Sequence, residues 1–303
     1  MPKRIIVLGV MRSGTSLTAE LIRRWGAYSG GENNLWKSDA SDPRGYGYME
    51  YMPLQDLNDK LLNENDRVPP SSELLAERAS DPVFRQKALE LLQEMDQQAT
   101  QNNFDAWVWK DARLPLTLPF WIKFWDDPIY VITIRHPAEV ALSSAKTEGI
   151  NENEIPFSAG LAYWQYCMLN ILDSTQESRH KIFVAYDQLI NNSVQECTRL
   201  CHFLNDQCGK PAKESPQQME AMVAQIAGSQ RHYHYGKALA EMEQATKEQR
   251  ALYNFLRVKT LYPDEAFQRD DFALYPGWRE YLAAMEMLLV LSQSSGADRP
   301  EMT

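Results

Sequence analysis

The sequence predicts an α/β protein of three layers, with a mostly parallel central sheet flanked by helices. Three observations predict it. Apolar runs of strand length recur at Ile5–Val10, Ala106–Trp109, Ile129–Ile134 and Ile182–Tyr186. Stretches of helical periodicity separate them. The first run leads directly into a glycine-bearing turn and then a helix-like pattern. Strands that alternate with helices pair in parallel, because a parallel connection needs a crossover. Ligands of such sheets sit at the carboxyl ends of the strands.

The elements follow in order. Five of the six residues from Ile5 to Val10 are apolar, the composition of a strand buried on both faces. Helical patterns cover Thr15–Trp25, Pro53–Asn63 and Asp81–Thr100 before the second strand. Leu116–Trp125 lies between the second and third strands, Pro137–Thr147 and Phe157–Ser174 between the third and fourth, and Ser193–Leu204 after the fourth. Residues 26–80 read as an addition, rich in Gly, Asn, Asp, Ser and Pro around Tyr46, Tyr48 and Tyr51. Residues 209–250 read as a second, polar addition, with helices expected at Pro216–Ile226 and Ala238–Phe255. A single domain over 1–303 is expected, with the two additions shaping and covering an acceptor pocket. The polar tail 292–303 is expected to fray.

Composition narrows the function. The formal net charge of −10 argues against a nucleic-acid-binding surface, which needs clustered Lys and Arg. An acidic chain can still bind one anion through a local nest of N–H groups and a few arginines. No run approaches the roughly eighteen apolar residues that span a bilayer. The apolar stretch after Lys3 and Arg4 is too short for a signal peptide. A soluble, cytoplasmic protein without nucleic-acid partners is expected, and a homodimer is compatible with this composition. Cys197 and Cys201 stand at i,i+4 spacing beside His202, but no second compact ligand pair completes a zinc site. Cys167, Cys197, Cys201 and Cys208 read as free thiols.

Residues 9–16 carry the strongest signal. The spacing Gly9-x4-Gly14-Thr15-Ser16 matches a P-loop except at one position, where Thr15 replaces the lysine of nucleoside-triphosphate enzymes. Successive N–H groups through Met11–Ser16 can face one anion, and the following helix adds its positive end. Arg12 supplies a forked cation, and Ser13, Thr15 and Ser16 supply hydroxyls. The alternative is a plain strand–turn–helix. A second element is IRHPAEVALSSAK, residues 134–146. Arg135 ends a strand, Pro137 suits a first helical turn, and Ser143 and Ser144 follow about two turns later. Arg135 and Ser143 can hold a second phosphate, or act as a strand-end cap and a solvated helix face.

Together these motifs resemble the sulfotransferases that use 3′-phosphoadenosine 5′-phosphosulfate (PAPS), in particular their bacterial branch. The resemblance covers about residues 4 to 205. In that family a loop of the form R/K-S-G-T-S/T binds the 5′-phosphosulfate, here Arg12-Ser13-Gly14-Thr15-Ser16. A later R-x7-S element binds the 3′-phosphate, here Arg135 and Ser143. VAYDQLI (184–190) matches the strand and Tyr-Glu/Asp-x-Leu near the adenine, and places Tyr186 there. WVWKDARLPLTLPFW (107–121) and GYME (47–50) resemble further elements of the bacterial branch. The resemblance implies a P-loop-type nucleotide-binding fold, PAPS as co-substrate, 3′,5′-adenosine bisphosphate as product, and no metal.

Sulfuryl transfer needs in-line attack by a hydroxyl, a base for its proton, and donors for charge on the leaving phosphate. Some family members use a histidine after the strand equivalent to Ala106–Trp109; here Lys110, Asp111 and Arg113 stand there. Glu50, in an aromatic stretch, is the first choice of base, or else a carboxylate at a helix N-terminus. Asp111 is the second choice, or else the partner of Lys110 or Arg113 in an ion pair. Lys110 or Arg12 can stabilise the leaving oxygen. In the loop GSQRHYHYGK (228–237), Arg231 is expected near the 3′-phosphate by family likeness, and His232 and His234 are further bases, unless the loop is merely a connection. The tryptophans and phenylalanines of 107–125 line an acceptor pocket or pack the core. A P-loop kinase of a small metabolite and a non-catalytic nucleotide-binding or scaffold protein are the alternatives. The acceptor, a small-molecule, lipid or saccharide hydroxyl, is not specified by these residues.

Overall fold

The computed structural model describes residues 1–31, 34–35, 48–63, 71–147, 157–230, 244–262, 266–269 and 272. Four strands form one sheet: β1 (Lys3–Leu8), β2 (Ala106–Lys110), β3 (Ile129–Ile134) and β4 (Lys181–Ala185). Their order is β2-β1-β3-β4, and every pairing is parallel. The chain runs outward from β1 in both directions, so the strand order reverses at β1. A crevice opens at such a reversal, at the carboxyl edge. The register aligns Val7 with Lys110, Leu8 with Ile132, and Ile134 with Ala185. The segments that follow all four strands therefore leave from one edge.

Eleven helices lie among the described residues: α1 (Thr15–Trp25), α2 (Met52–Asn63), α3 (Ser72–Arg78), α4 (Pro82–Gln101), α5 (Leu114–Trp121), α6 (Pro137–Thr147), α7 (Phe157–Thr175), α8 (Tyr186–Asn191), α9 (Ser193–Cys208), α10 (Pro216–Gln230) and α11 (Lys247–Lys259). The two-residue strand period sorts the core. Ile6, Leu8, Trp107, Trp109 and Ile132 face one layer with α2, α4, α5, α7 and α11. Ile5, Val7, Val108, Val131 and Val184 face the other with α1, α9 and α10. The result is the three-layer α/β fold that the alternating pattern predicts.

The differences from expectation have local causes. Helix α3 was not predicted; it starts where Ser71 Oγ accepts from Leu74 N at 3.2 Å. Helix α5 begins at Leu114 rather than Leu116, with Pro115 in its first turn, and ends at Trp121 rather than Trp125. Pro119 inside it has no N–H for the carbonyl of Pro115, which accepts from Asn170 Nδ2 at 3.3 Å instead. Tyr186 opens α8 instead of closing β4. Helix α11 starts at Lys247 behind a capping box of Thr246 and Gln249, later than the expected Ala238. Residues 238–243 lie outside the described residues, as do Tyr46, Arg231, His232, His234 and the tail 292–303. The four cysteines are free, and Cys167, Cys197 and Cys201 are buried. Among the described residues no helix is long and apolar enough to cross a membrane.

Candidate active site

The loop after β1 is shaped by close approaches. A Cβ at Gly9 would overlap Thr133 Oγ1 of β3, so glycine lets Thr133 close over the turn. Thr133 Oγ1 then lies 2.9 Å from Ser13 Oγ and donates to the Leu8 carbonyl at 3.2 Å. Ser13 N donates to the Val10 carbonyl at 3.0 Å. Arg12 sits at φ 70°, a left-handed conformation that costs a side-chain-bearing residue about 1–2 kcal/mol. Gly14, at φ 97°, is the N-cap of α1, and a Cβ there would overlap the Tyr186 ring. A helix that starts behind a glycine cap points uncapped N–H groups and its positive dipole end at the loop. Thr15 is buried at the position of the missing lysine.

The element after β3 meets this loop. Arg135 Nη1 donates to the Arg12 carbonyl at 2.9 Å, and Arg12 Nε donates to Ser143 Oγ at 3.1 Å. Ser143 is buried on α6. Glu139, in the first turn of α6, accepts from Arg135 Nε at 2.9 Å. The guanidinium of Arg135 lies 4.6 Å from the centroid of the Tyr186 ring, which itself borders Gly14. Arg12, Gly14, Arg135, Ser143 and Tyr186 thus converge from three strand ends.

On the other side of the loop a buried charge cluster follows β2. Ser16 Oγ donates to the Tyr48 carbonyl at 3.2 Å, and the same carbonyl accepts from Lys110 Nζ at 3.2 Å. Lys110 Nζ also donates to Glu50 Oε1 at 2.5 Å. Glu50 Oε1 takes a further bond from Ala112 N at 3.2 Å, while Oε2 faces Arg113 Nη1 at 3.7 Å. Asp111 is more enclosed. Its Oδ1 accepts from Arg113 N at 2.8 Å and its Oδ2 from Asn58 Nδ2 at 2.8 Å. Burial, and then the charge of Glu50, push the Asp111 carboxyl above the usual carboxylate range. Asp59, paired with Arg113 Nε, is also pushed up, mainly by burial. Burial opposes the charge on Arg113, but Asp111, Asp59 and Glu50 outweigh it and raise its pKa.

A scan against known protein families matches residues 2–208 to the Sulfotransferase family. The chain belongs to the sulfotransferase family. Among solved structures, the sulfotransferase domain from the Synechococcus PCC 7002 olefin synthase is similar at 17% identity and a TM-score of 0.44, over 96% of this chain and 94% of that one. The sulfotransferase domain from the curacin biosynthetic pathway is similar at 15% identity and a TM-score of 0.44, over 97% and 98%. No curated protein matches.

The carboxyl edge of the sheet gathers Arg12 to Ser16, Glu50, Lys110, Asp111, Arg135, Ser143 and Tyr186 into two neighbouring groups. Arg231 lies outside the described residues. Four contributors escaped the sequence reading. Thr133 props Ser13, Glu139 holds Arg135, Asn58 holds Asp111, and Arg257 of α11 donates to Asp187 at 2.5 Å beside Tyr186. Glu139 was open to detection as the i+4 partner of Arg135. Asn58 and Arg257 carry no local signal, since their partners are distant in sequence. The aromatic run is core: Trp107, Trp109 and Trp121 are almost fully buried, and Trp109 and Trp121 meet edge to face at 4.7 Å. Helix α10 packs on the α1 and α9 layer through Met219 and Val223.

Proposed function

We propose that this protein transfers a sulfuryl group from PAPS to the hydroxyl of a small-molecule, lipid or saccharide acceptor. One observation carries the proposal: Arg12 is bonded both to Arg135 and to Ser143, so the 5′-loop and the R-x7-S element adjoin. A donor with phosphates at both ends of its ribose suits two such elements. A nucleoside triphosphate would instead call for a lysine where Thr15 stands.

Glu50 is the proposed base. It lies next to the loop through Lys110 and the Tyr48 carbonyl, whereas both oxygens of Asp111 are engaged by Arg113 and Asn58. The acceptor hydroxyl loses its proton to Glu50 and its oxygen attacks sulfur in line. The bond from sulfur to the bridging oxygen breaks, and the 5′-phosphate of 3′,5′-adenosine bisphosphate leaves. Lys110 and the loop N–H groups take up the charge on that oxygen. Arg12, engaged with Ser143, serves the nucleotide.

Isothermal titration tests the donor. Tight binding of 3′,5′-adenosine bisphosphate without magnesium is expected. Binding of ADP only with magnesium would sink the proposal in favour of a kinase. Transfer of labelled sulfate to a panel of hydroxyl acceptors separates an enzyme from a nucleotide-binding scaffold.

A further inference from the structure

Among the contacts of the described residues, three fasten the first loop to β3 and α6. Two join side chains: Ser13 Oγ with Thr133 Oγ1, and Arg12 Nε with Ser143 Oγ. The third differs in kind. Arg135 Nη1 reaches the main chain, at the carbonyl of the one loop residue that holds a left-handed φ without being glycine. That carbonyl and the N–H of Ser13 belong to one peptide unit. Its N–H is bonded to the Val10 carbonyl at 3.0 Å and its oxygen to Arg135 at 2.9 Å. Both ends of the peptide are therefore pinned, and its plane cannot rotate without breaking a bond to a charged donor. The following N–H groups, from Gly14 into α1, take their direction from this plane.

Arg135 is itself held rigidly. Glu139 accepts from its Nε, and the Tyr186 ring lies 4.6 Å from its guanidinium carbon. Both side chains of the Arg135–Glu139 pair are about nine-tenths buried. Such an arrangement does more than offer a cation to a distant phosphate.

We propose that Arg135 is a positioning residue for the 5′-phosphate loop as well as a ligand of the far phosphate. It orients the Arg12–Ser13 peptide so that the loop N–H groups face the 5′-phosphate. The inference rests on the donor-site reading given above. Its consequence is coupling: occupancy of the far site and order in the near loop favour each other, and the coupling is reciprocal.

Two nucleotides separate these roles. 3′,5′-Adenosine bisphosphate occupies both sites, while 5′-AMP has no 3′-phosphate. Their affinities are measured by calorimetry for the wild type, Arg135→Ala and Arg135→Lys. If Arg135 serves the loop, Arg135→Ala weakens 5′-AMP by about tenfold or more, although that ligand cannot touch the lost charge through a 3′-phosphate. Arg135→Lys keeps a charge but not the fork that joins Glu139 to the Arg12 carbonyl. It too weakens 5′-AMP, and it guards against misfolding of the alanine variant. The same loss on top of Tyr186→Leu shows that it does not pass through the ring. The proposal is overturned if both Arg135 variants bind 5′-AMP within twofold of the wild type while losing 3′,5′-adenosine bisphosphate. It is also overturned if Tyr186→Leu abolishes the difference. A wild type that binds the two nucleotides equally would count against the donor reading alone, and the 5′-AMP comparison would still decide the role of Arg135.

Discussion

Lys110 Nζ donates to Glu50 Oε1 at 2.5 Å, with both side chains more than nine-tenths buried. The pair joins the end of β2 to the segment that precedes α2, and through the Tyr48 carbonyl it reaches Ser16. Two buried charges this close stabilise the fold mainly against the loss of either partner. Lys110→Met leaves the Glu50 carboxylate with the Ala112 N–H and a more distant Arg113. A loss of about 3–5 kcal/mol in urea unfolding is expected. Lys110→Met combined with Glu50→Leu should recover much of it. If the single variant unfolds at the wild-type midpoint, the pair is not what holds this junction.

Catalysis should respond differently from stability. Glu50→Gln keeps an oxygen for Lys110 and Ala112 but removes the base. With a hydroxyl acceptor in hand, release of 3′,5′-adenosine bisphosphate should slow by roughly 10²–10⁴-fold. Affinity for that product should stay within about twofold. Asp111→Asn should slow turnover far less, because Asp111 is committed to Arg113 and Asn58. Equal rates for wild type and Glu50→Gln would remove Glu50 from the mechanism.

What the sequence disclosed follows from the range of each interaction. The four strands, α1, α6 and α7 were legible because apolar period and strand-to-helix turns are local. Gly14, Arg135 and Ser143 were legible because their spacings are fixed by one loop and one helix. The pairing of Glu50 with Lys110 spans sixty positions and was read only as two separate candidates. That Arg12 turns toward Ser143 was hidden for the same reason. Its side chain is aimed by a left-handed φ, which only the packed loop imposes.

Asn58 illustrates a residue with no sequence signal and a large predicted effect. Its Nδ2 donates to Asp111, and its Oδ1 accepts from Thr117 Oγ1 at 3.0 Å and Trp121 Nε1 at 2.7 Å. All four groups are buried. Asn58→Ala strands Asp111 Oδ2 and Trp121 Nε1, at about 1–3 kcal/mol each before relaxation, while Thr117 Oγ1 keeps the Arg113 carbonyl as an acceptor at 3.3 Å. A total loss of roughly 3 kcal/mol or more is expected in the denaturant midpoint. A loss under about 1 kcal/mol would show that water or rearrangement replaces the amide.

Gly14→Ala tests the nucleotide side. The backbone at φ 97° disfavours any side chain, and the new methyl would meet the Tyr186 ring. The ring must move, and with it the stacking of Arg135. At least a tenfold loss of 3′,5′-adenosine bisphosphate binding is expected, with a lowered melting temperature. Unchanged binding would mean that Tyr186 and Gly14 do not jointly shape the site.

Asp111 gives the pH dependence a definite sign. Burial raises its carboxyl above the unfolded value of about 3.9. Between those two pKa values the native state binds more protons than the unfolded chain, so stability falls as pH rises. The contribution is fully present below about pH 4 and is lost as pH climbs through the raised value. Asp111→Asn does not titrate, and its altered hydrogen bonds add only an offset that is independent of pH. The stability of the wild type relative to Asp111→Asn should therefore decline from pH 4 toward pH 7. Urea unfolding of both proteins across that range reads the slope directly. Asp59, also raised, is common to both and cancels to first order. A difference that stays flat or grows with pH would show that Arg113 and Asn58 keep Asp111 ionised in spite of its burial.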